Sequence, residues 1–131
     1  EQLIADQTAV FKELQSIPTV KPVTRKDLYR RLHTGKEYID ANFTQSLTIE
    51  QIAKESAMSE YHFFRLFKMV FGKSPHQYII ERRLAEASAH LKERRTVSEA
   101  AIESGFSDIF TFSKAFKKHY GMPPSVYGNL K

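Results

Sequence analysis

The sequence contains LTIEQIAKESAMSEYHFFRLFKMVFGKSPHQY at residues 47 to 78 and repeats this stretch, with changes, at residues 96 to 127 as TVSEAAIESGFSDIFTFSKAFKKHYGMPPSVY. The second copy carries one inserted residue. The residues that match across the copies are chemically distinctive: Ser56 and Ser104, Phe63 and Phe112, Phe67 and Phe116, Gly72 and Gly121, Pro75 and Pro124. A duplicated unit this short is typical of a binding module used twice, since one catalytic site seldom needs two copies of its scaffold.

The composition fits one small globular domain of 131 residues, of which 41% are hydrophobic. The chain has no cysteine, which excludes disulfides, thiolate metal ligands and cysteine nucleophiles. Its five histidines lack paired ligand spacing, and no glycine-rich phosphate loop occurs. No apolar run is long enough to span a membrane, and no signal peptide opens the chain. We therefore expect a cytoplasmic protein that is not an enzyme and needs no metal or cofactor.

Both copies begin with the same helix start signal. Thr48 with Gln51, and Thr96 with Glu99, have the spacing of a capping box, in which the threonine hydroxyl and the third side chain each bond a free amide. These pairs predict that each copy opens with a helix. That helix is expected to end near Ala57 in the first copy and near Gly105 in the second.

A second helix is expected to follow a short turn in each copy. Ser59 and Ser107 are suited to cap its N-terminus, and Gly72 and Gly121 are suited to end it. The sequence thus predicts helix, short turn, helix at about residues 47 to 71, and again at about residues 96 to 120.

Further helices are predicted outside the repeats. An apolar stripe predicts an amphipathic helix at residues 2 to 15, and the prolines of residues 16 to 24 indicate a linker. Another helix is expected at residues 25 to 42, although Gly35 weakens it by about 1 kcal/mol relative to alanine. A linker helix is expected at about residues 75 to 93, with one face formed by Ile80, Leu84, Ala87, Ser88 and Leu91. No alternating β pattern competes, so we predict an all-α fold.

The second helix of each copy has two chemically different faces at about 100° per residue. The inner face is expected to hold Phe63, Leu66, Phe67 and Val70 in the first copy and Phe112, Ala115 and Phe116 in the second. The outer face carries an aromatic residue followed by two bases: Tyr61, Arg65 and Lys68 in one copy, Phe110, Lys114 and Lys117 in the other. The phenylalanine stripes are interpreted as core.

The basic residues follow the same division. The net charge is +5, and the positive excess lies in residues 60 to 95 and 107 to 131, the second helices and the segment between the copies. A basic helix that follows a short turn suits the DNA major groove. Arg65 can donate two hydrogen bonds to guanine, and Lys114 one. His62 and Tyr61 are further candidates for polar contacts, and Phe110 for a thymine methyl group. Phosphate contacts are expected from Lys68, Lys73, Lys117 and Lys118 and from the hydroxyls of Ser59 and Ser107.

The runs LTIEQIAKESAMS, FFRLFKMVFGKSPHQYIIERRL and GFSDIFTFSKAFKKHYGMPPSVY resemble the DNA-binding domain of the AraC/XylS family of bacterial transcription regulators, over about residues 25 to 129. The resemblance implies seven helices, with two helix-turn-helix subdomains joined by the linker helix. We therefore expect residues 25–131 to form the DNA-binding domain, preceded by the N-terminal helix and linker at residues 1–24. The resemblance also implies base contacts from positions matching Tyr61, Phe64, Arg65, Ile109, Phe110, Thr111 and Lys114.

The resemblance also implies partners. These are double-stranded DNA, RNA polymerase and an N-terminal effector-binding or dimerisation domain, and it favours an activator of transcription. The chain begins at Glu1 without methionine, which fits a fragment of a longer regulator. No membrane partner is expected.

This sequence departs from the family pattern at several positions. Ala57 stands where glycine is frequent, which predicts strain of about 1 kcal/mol in the first turn. Phe64 and Ile109 are apolar where a polar residue often reads a base, and Gly128 stands where arginine is common. An alternative hypothesis follows, in which exposed Phe64, Ile109 and Phe110 form the docking patch of a helical protein-interaction module.

Overall fold

The computed structural model describes residues 25–129, which form seven helices. They are α1 (Arg25–Asn42), α2 (Ile49–Glu55), α3 (Glu60–Phe71), α4 (Pro75–Lys92), α5 (Val97–Glu103), α6 (Ile109–Tyr120) and α7 (Pro124–Tyr127). This part of the chain contains no strand, and the all-α prediction with two helix-turn-helix subdomains is confirmed. The helix predicted at residues 2 to 15 and the linker at 16 to 24 lie outside the described residues.

The described chain divides into two compact units. The first unit comprises residues 25–41 and 47–77, and the second comprises residues 42–46 and 78–129. The first unit thus contains α1, α2 and α3, and the second contains α5, α6, α7 and most of α4. Each unit holds one copy of the repeat.

The core of the first unit is built from one face of each of its three helices. The buried side chains are Leu28, Leu32 and Ile39 of α1, Ile52 and Ala53 of α2, and Phe63, Leu66 and Phe67 of α3. The rings of Phe63 and Phe67 lie 5.5 Å apart, as expected for two aromatic residues one helical turn apart. The predicted inner face of α3 is confirmed for these residues.

Gly35 does not interrupt α1, because close packing requires a residue without a side chain there. A Cβ atom at this buried position would lie 2.5 Å from Cε1 of Phe63 and would also meet Oγ of Ser56. The intrinsic cost of glycine in a helix is thus offset by the close approach of α1 to the two helices of the repeat.

The turn between α2 and α3 places a non-glycine residue in the left-handed region. Ala57 has φ +56°, and the Met58 amide donates to the Ala53 carbonyl at 3.0 Å. The carbonyl of Ala57 accepts a hydrogen bond from the Arg31 side chain at 3.2 Å. The turn predicted to be strained therefore adopts the conformation that favours glycine.

Ala57→Gly is expected to raise the free energy of unfolding by about 0.5 to 1 kcal/mol. An L-residue in the left-handed region is disfavoured by about 1–2 kcal/mol, and the added flexibility of the unfolded chain offsets part of the gain. Urea denaturation measures the change. The matched control is Ala89→Gly on the exposed side of α4, where the same substitution should cost about 1 kcal/mol. A loss of stability in both variants would contradict the assigned strain.

The second unit has its own core. Its buried residues are Leu84, Ala87 and Leu91 of α4, Ala100 and Ala101 of α5, Phe106 in the turn, and Phe112 and Phe116 of α6. The ring of Phe116 also packs against two half-buried tyrosines, Tyr120 and Tyr127, with centroids 4.5 and 5.2 Å away. The phenylalanine stripe of the second copy is therefore core, as predicted.

Several residues at the edges of the predicted faces are only half-buried, although Ile80 and Ala115 still pack against the core of the second unit. On α4, Ile79 is buried at 5% exposure whereas the predicted Ile80 and Ser88 are only half-buried. On the second helices, Val70 and Ala115 are also half-buried. The helical period gives the direction of a face, but neighbouring elements decide which residue at its edge is covered.

Arg83 ties the segment that precedes α2 into the second unit. Its Nε donates to the carbonyl of Phe43 at 2.6 Å and its Nη2 to the carbonyl of Gln45 at 2.8 Å. Burial lowers the pKa of Arg83 from its ordinary value. Two carbonyls that have no helical partner are thus satisfied by one guanidinium group.

The predicted caps of the repeat are found in both copies. Thr48 and Thr96 accept from the amides of Gln51 and Glu99 at 3.1 and 3.0 Å, and both reciprocal bonds measure 2.9 Å. At the other end of each pair of helices, Gly72 and Gly121 have φ +79° and +80° and end α3 and α6. The same local signals therefore begin the first helix and end the second helix in both copies.

One predicted cap is wrong. Ser59 caps α3, accepting from the His62 amide at 3.2 Å, but the residue that caps α6 is Asp108 and not Ser107. The inserted residue moves the start of α6 by one position, so that Asp108 takes the place of Ser59. The hydroxyl of Ser107 instead donates to the Asp108 carboxylate at 3.4 Å.

Candidate nucleic-acid interface

The exposed face of α3 combines aromatic and basic side chains. Tyr61 is 68% exposed and Phe64 38%, and Arg65 and Lys68 are exposed beside them. These residues lie opposite the buried phenylalanines, because helix positions three and four apart share a face. The outward set predicted for the first copy is therefore confirmed as exposed, although the role of each residue stays a prediction.

A shallow apolar hollow lies along this face of α3. It is lined by Ile49, Tyr61, Phe64 and Met69 together with the charged Glu60, Arg65 and Lys68. An apolar hollow flanked by a guanidinium group suits the edge of a base pair, where a thymine methyl group lies next to hydrogen-bonding atoms. Glu60 is an acidic residue that the sequence interpretation had not placed at this surface.

The N-terminus of α3 uses the polar side chains of Ser59 and His62. The Ser59 hydroxyl accepts from the His62 amide, and it lies 2.9 Å from Nδ1 of the same histidine. The His62 ring also lies 5.5 Å from the ring of Tyr61. The hydroxyl predicted to contact phosphate is thus already engaged in capping, and the imidazole is held against the first turn of α3.

The exposed face of α6 is more apolar at its N-terminus. Ile109 is 43% exposed and Phe110 73%, while Thr111 and Lys114 are exposed on the same side. The ammonium group of Lys114 lies 5.3 Å from the centroid of the Phe110 ring. A cation over the face of an aromatic ring is attracted by its quadrupole. Phe110 and Lys114 therefore present a joined apolar and cationic surface, which the sequence interpretation treated as two separate contacts.

Asp108 is the capping residue of α6 that sequence reasoning missed. Its Oδ1 accepts from the Thr111 amide at 2.7 Å and its Oδ2 from the Thr111 hydroxyl at 3.0 Å. These bonds, with the amide bond the strongest cause, lower the pKa of Asp108 from its ordinary value. The signal was available, because aspartate three residues before threonine at a helix start has the spacing of a cap.

The residues predicted to contact phosphate lie in both units. Lys68 follows Arg65 by one turn on α3, Lys117 and Lys118 are exposed in the last turns of α6, and Lys73 is half-buried beyond α3. Lysines near a helix C-terminus are also favoured by its partial negative charge. Each unit thus joins base-edge candidates with cations of the type that bind phosphate.

Within residues 25–129, no helix has the length and apolar character needed to cross a membrane. In the same range, no group of three or more histidine, cysteine, aspartate or glutamate side chains is arranged to hold a metal ion.

Two helix-turn-helix units, each exposing an aromatic and basic face on its second helix, define a DNA-binding protein of the helix-turn-helix class. The model of a family described as "Helix-turn-helix domain" matches residues 52–129. Over 97 residues the chain is 31% identical to the multiple antibiotic resistance protein MarA of Escherichia coli (strain K12), covering 73% of this chain and 76% of MarA. The chain belongs to the AraC/XylS family of transcription regulators and contains the helix-turn-helix DNA-binding domain of that family.

Two further proteins support the assignment. The lactose operon transcription activator of Staphylococcus xylosus is 33% identical over 119 residues, which cover 90% of this chain and 43% of the activator. The C-terminal domain of AraT, a response regulator from Geobacillus stearothermophilus, has a TM-score of 0.73 and 27% identity, over 77% of this chain and 85% of that domain. The chain spans less than half the length of several curated relatives, 37 to 44%.

Proposed function

We propose that α3 and α6 are the recognition helices of this domain and read double-stranded DNA in successive major-groove segments. One observation carries the proposal. Both helices bury corresponding phenylalanines and expose an aromatic residue and two cations at the same positions of the repeat, which are Tyr61, Arg65 and Lys68 on α3 and Phe110, Lys114 and Lys117 on α6. A major groove is wide enough to admit such a helix, and base edges offer hydrogen-bonding atoms and thymine methyl groups to these side chain types.

The two helices have different parts in this proposal. Arg65 of α3 donates two hydrogen bonds to one guanine, a contact that its planar guanidinium group favours. On α6, Phe110 contacts a thymine methyl group, and Lys114 donates to guanine or phosphate. Tyr61, His62, Phe64, Ile109 and Thr111 complete the base contacts. One architecture thereby reads two different base sequences.

The phosphate contacts of the proposal come from the lysines Lys68, Lys73, Lys117 and Lys118, with Ser59 and Ser107 as neutral donors. Such contacts fix the position of a protein on the duplex without specifying sequence. The positive excess in residues 60–95 and 107–131 supports this assignment. Lys68, Lys117 and Lys118 are exposed in the last turns of their helices, and Lys73 is half-buried beyond α3.

We further propose that this domain serves a larger activator of transcription. The matching relative from Staphylococcus xylosus is named an activator, and the chain spans less than half of that relative. RNA polymerase is the partner that activation requires. An additional effector-binding or dimerisation domain is the second component of such a regulator. Action in the cytoplasm, where the bacterial chromosome lies, belongs to the same proposal.

The rival function is docking of a protein through exposed Phe64, Ile109 and Phe110. Their exposed fractions of 38, 43 and 73% favour it, since surface apolar groups are typical of interaction sites. The two functions differ in the response to salt. Neutralised phosphates release counterions, whereas an apolar protein contact does not.

Duplex affinity is expected to fall with salt at a slope of about −4 in log K against log salt concentration, as four lysine contacts to phosphate require. Fluorescence anisotropy at several salt concentrations measures it. Lys117→Ala should reduce the slope by about 1 and weaken all duplexes similarly. Lys26→Ala, which removes an exposed lysine of α1 outside the proposed contacts, is the control and should leave the slope unchanged. A duplex affinity that does not change with salt concentration would contradict the DNA proposal and favour protein docking.

A further inference from the structure

The Thr111 hydroxyl is hydrogen-bonded to the Asp108 carboxylate. Oδ2 of Asp108 lies 3.0 Å from Oγ1 of Thr111, and Oδ1 lies 2.7 Å from the Thr111 amide nitrogen. The pKa of Asp108 is lowered from its ordinary value, first by the bond from the Thr111 amide and then by the bond from its hydroxyl. Asp108 is therefore an ionised carboxylate at neutral pH, and a carboxylate only accepts hydrogen bonds.

The direction of the hydroxyl bond follows from this chemistry. A threonine hydroxyl has one proton and two lone pairs. Because the carboxylate cannot donate, Thr111 must donate its proton to Asp108. Thr111 is an exposed residue, and its hydroxyl then has only its lone pairs left for a second partner.

The repeat shows that this arrangement is specific to the second unit. The position equivalent to Asp108 is Ser59, which caps α3, and the position equivalent to Thr111 is His62. The Ser59 hydroxyl is neutral, and either it or Nδ1 of His62 can supply the proton they share. In the cap of α6, the donor and the acceptor of the side-chain hydrogen bond are therefore both determined, whereas in the cap of α3 they are not.

We propose that Asp108 is a positioning residue that makes Thr111 an obligate hydrogen-bond acceptor, so that Thr111 selects the exocyclic amino group of adenine or cytosine in the major groove. Adenine N6 and cytosine N4 are the donors that this groove presents. Guanine O6 and N7, thymine O4 and the phosphate oxygens only accept, so none of them can bond this hydroxyl. The inference rests on the proposed entry of α6 into the groove and adds the chemical class of its target.

The negative charge of Asp108 also favours a base over a phosphate as the partner of Thr111. The Asp108 carboxylate is exposed beside Thr111, and a negative charge repels phosphate oxygens. Lys114 lies about one turn further along α6, and its ammonium group lies over the Phe110 ring. Thr111 is therefore better suited to a base edge than to the phosphate backbone.

Deletion of single amino groups from the duplex tests the proposal. On a duplex selected from a random library, each adenine is replaced by purine and each cytosine by 2-pyrimidinone, one position at a time. For the wild-type chain, one such deletion in the segment read by α6 should weaken binding about tenfold. For Thr111→Val, which keeps the shape and the capped amide, the same deletion should change affinity less than about twofold. Thr111→Ser should restore the dependence.

Asp108→Asn provides the second variant. Its amide oxygen can still cap the helix, while its NH2 group faces the Thr111 hydroxyl and frees the hydroxyl proton to donate. The preference at the same position should then shift from adenine or cytosine toward guanine or thymine. A shift in base preference is a result that a purely structural cap would not give.

Two results would overturn the inference, and they are distinguishable. If the wild-type chain prefers the selected duplex but no amino deletion is coupled to Thr111, the polarity assignment is wrong and the proposed function stands. If the wild-type chain binds selected and random duplexes equally, the proposed function itself fails, and the inference fails with it.

Discussion

Gly105→Ala is expected to destabilise the chain by about 3 kcal/mol or more. Gly105 has φ +106°, a backbone conformation that L-residues rarely adopt. A Cβ atom there would lie 2.8 Å from both Nε of Arg83 and the carbonyl oxygen of Phe43. Those two atoms are already joined by a 2.6 Å hydrogen bond, so neither can move away without loss of that bond.

The measurement is the free energy of unfolding in urea, with Gly121→Ala as the matched control. Gly121 also has positive φ, +80°, but a Cβ atom there would meet nothing within 4 Å. The control therefore carries backbone strain of about 1–2 kcal/mol without the clash. Equal losses in the two variants would contradict the assigned contact between the turn and the segment held by Arg83.

Arg65→Ala is expected to weaken binding to a selected duplex about 10- to 100-fold and to relax the preference at one base pair. The loss corresponds to about 1–3 kcal/mol, the discrimination expected of a bidentate contact between arginine and guanine. Arg65→Lys should not restore the preference, since an ammonium group lacks the planar pair of donors. Competition binding with duplexes changed at single positions measures both effects.

Lys117→Ala is the comparison for this experiment. It should weaken selected and random duplexes to the same extent, because a phosphate contact carries no sequence information. If Arg65→Ala also weakened both duplexes equally, its assignment as the base-reading residue of α3 would be refuted.

The sequence predicted the features of the fold that depend on local chemistry. The capping boxes at Thr48 and Thr96 and the stops at Gly72 and Gly121 involve residues within one helical turn, so their spacing alone identifies them. The phenylalanine stripes of α3 and α6 were recognisable for the same reason. Their period places them on one face whatever the rest of the chain does.

The features that the sequence could not supply depend on distant partners. Gly35 counts against a helix until Phe63 and Ser56 are placed against it. Arg83 resembles any other base on α4 until its bonds to the Phe43 and Gln45 carbonyls are seen. Both contacts join residues far apart in the chain, and no local spacing encodes them.

The candidate site was predictable in outline but not in detail. Helical periodicity identified the exposed faces, including Tyr61, Arg65 and Lys114. It did not identify Asp108 as the cap of α6, because alignment of the two copies matched Ser107 with Ser59 and placed the inserted residue after them. The contact of Lys114 with Phe110 also depends on side chain conformations.

Footprinting of a single chain on its selected duplex shows whether both copies of the repeat bind DNA. We expect two protected major-groove segments on one side of the DNA, separated by one helical turn of about 34 Å, because each chain contributes α3 and α6. Arg65→Ala should weaken protection of one segment, and Lys114→Ala that of the other. Protection of only one segment per chain would contradict the claim that both copies of the repeat read DNA.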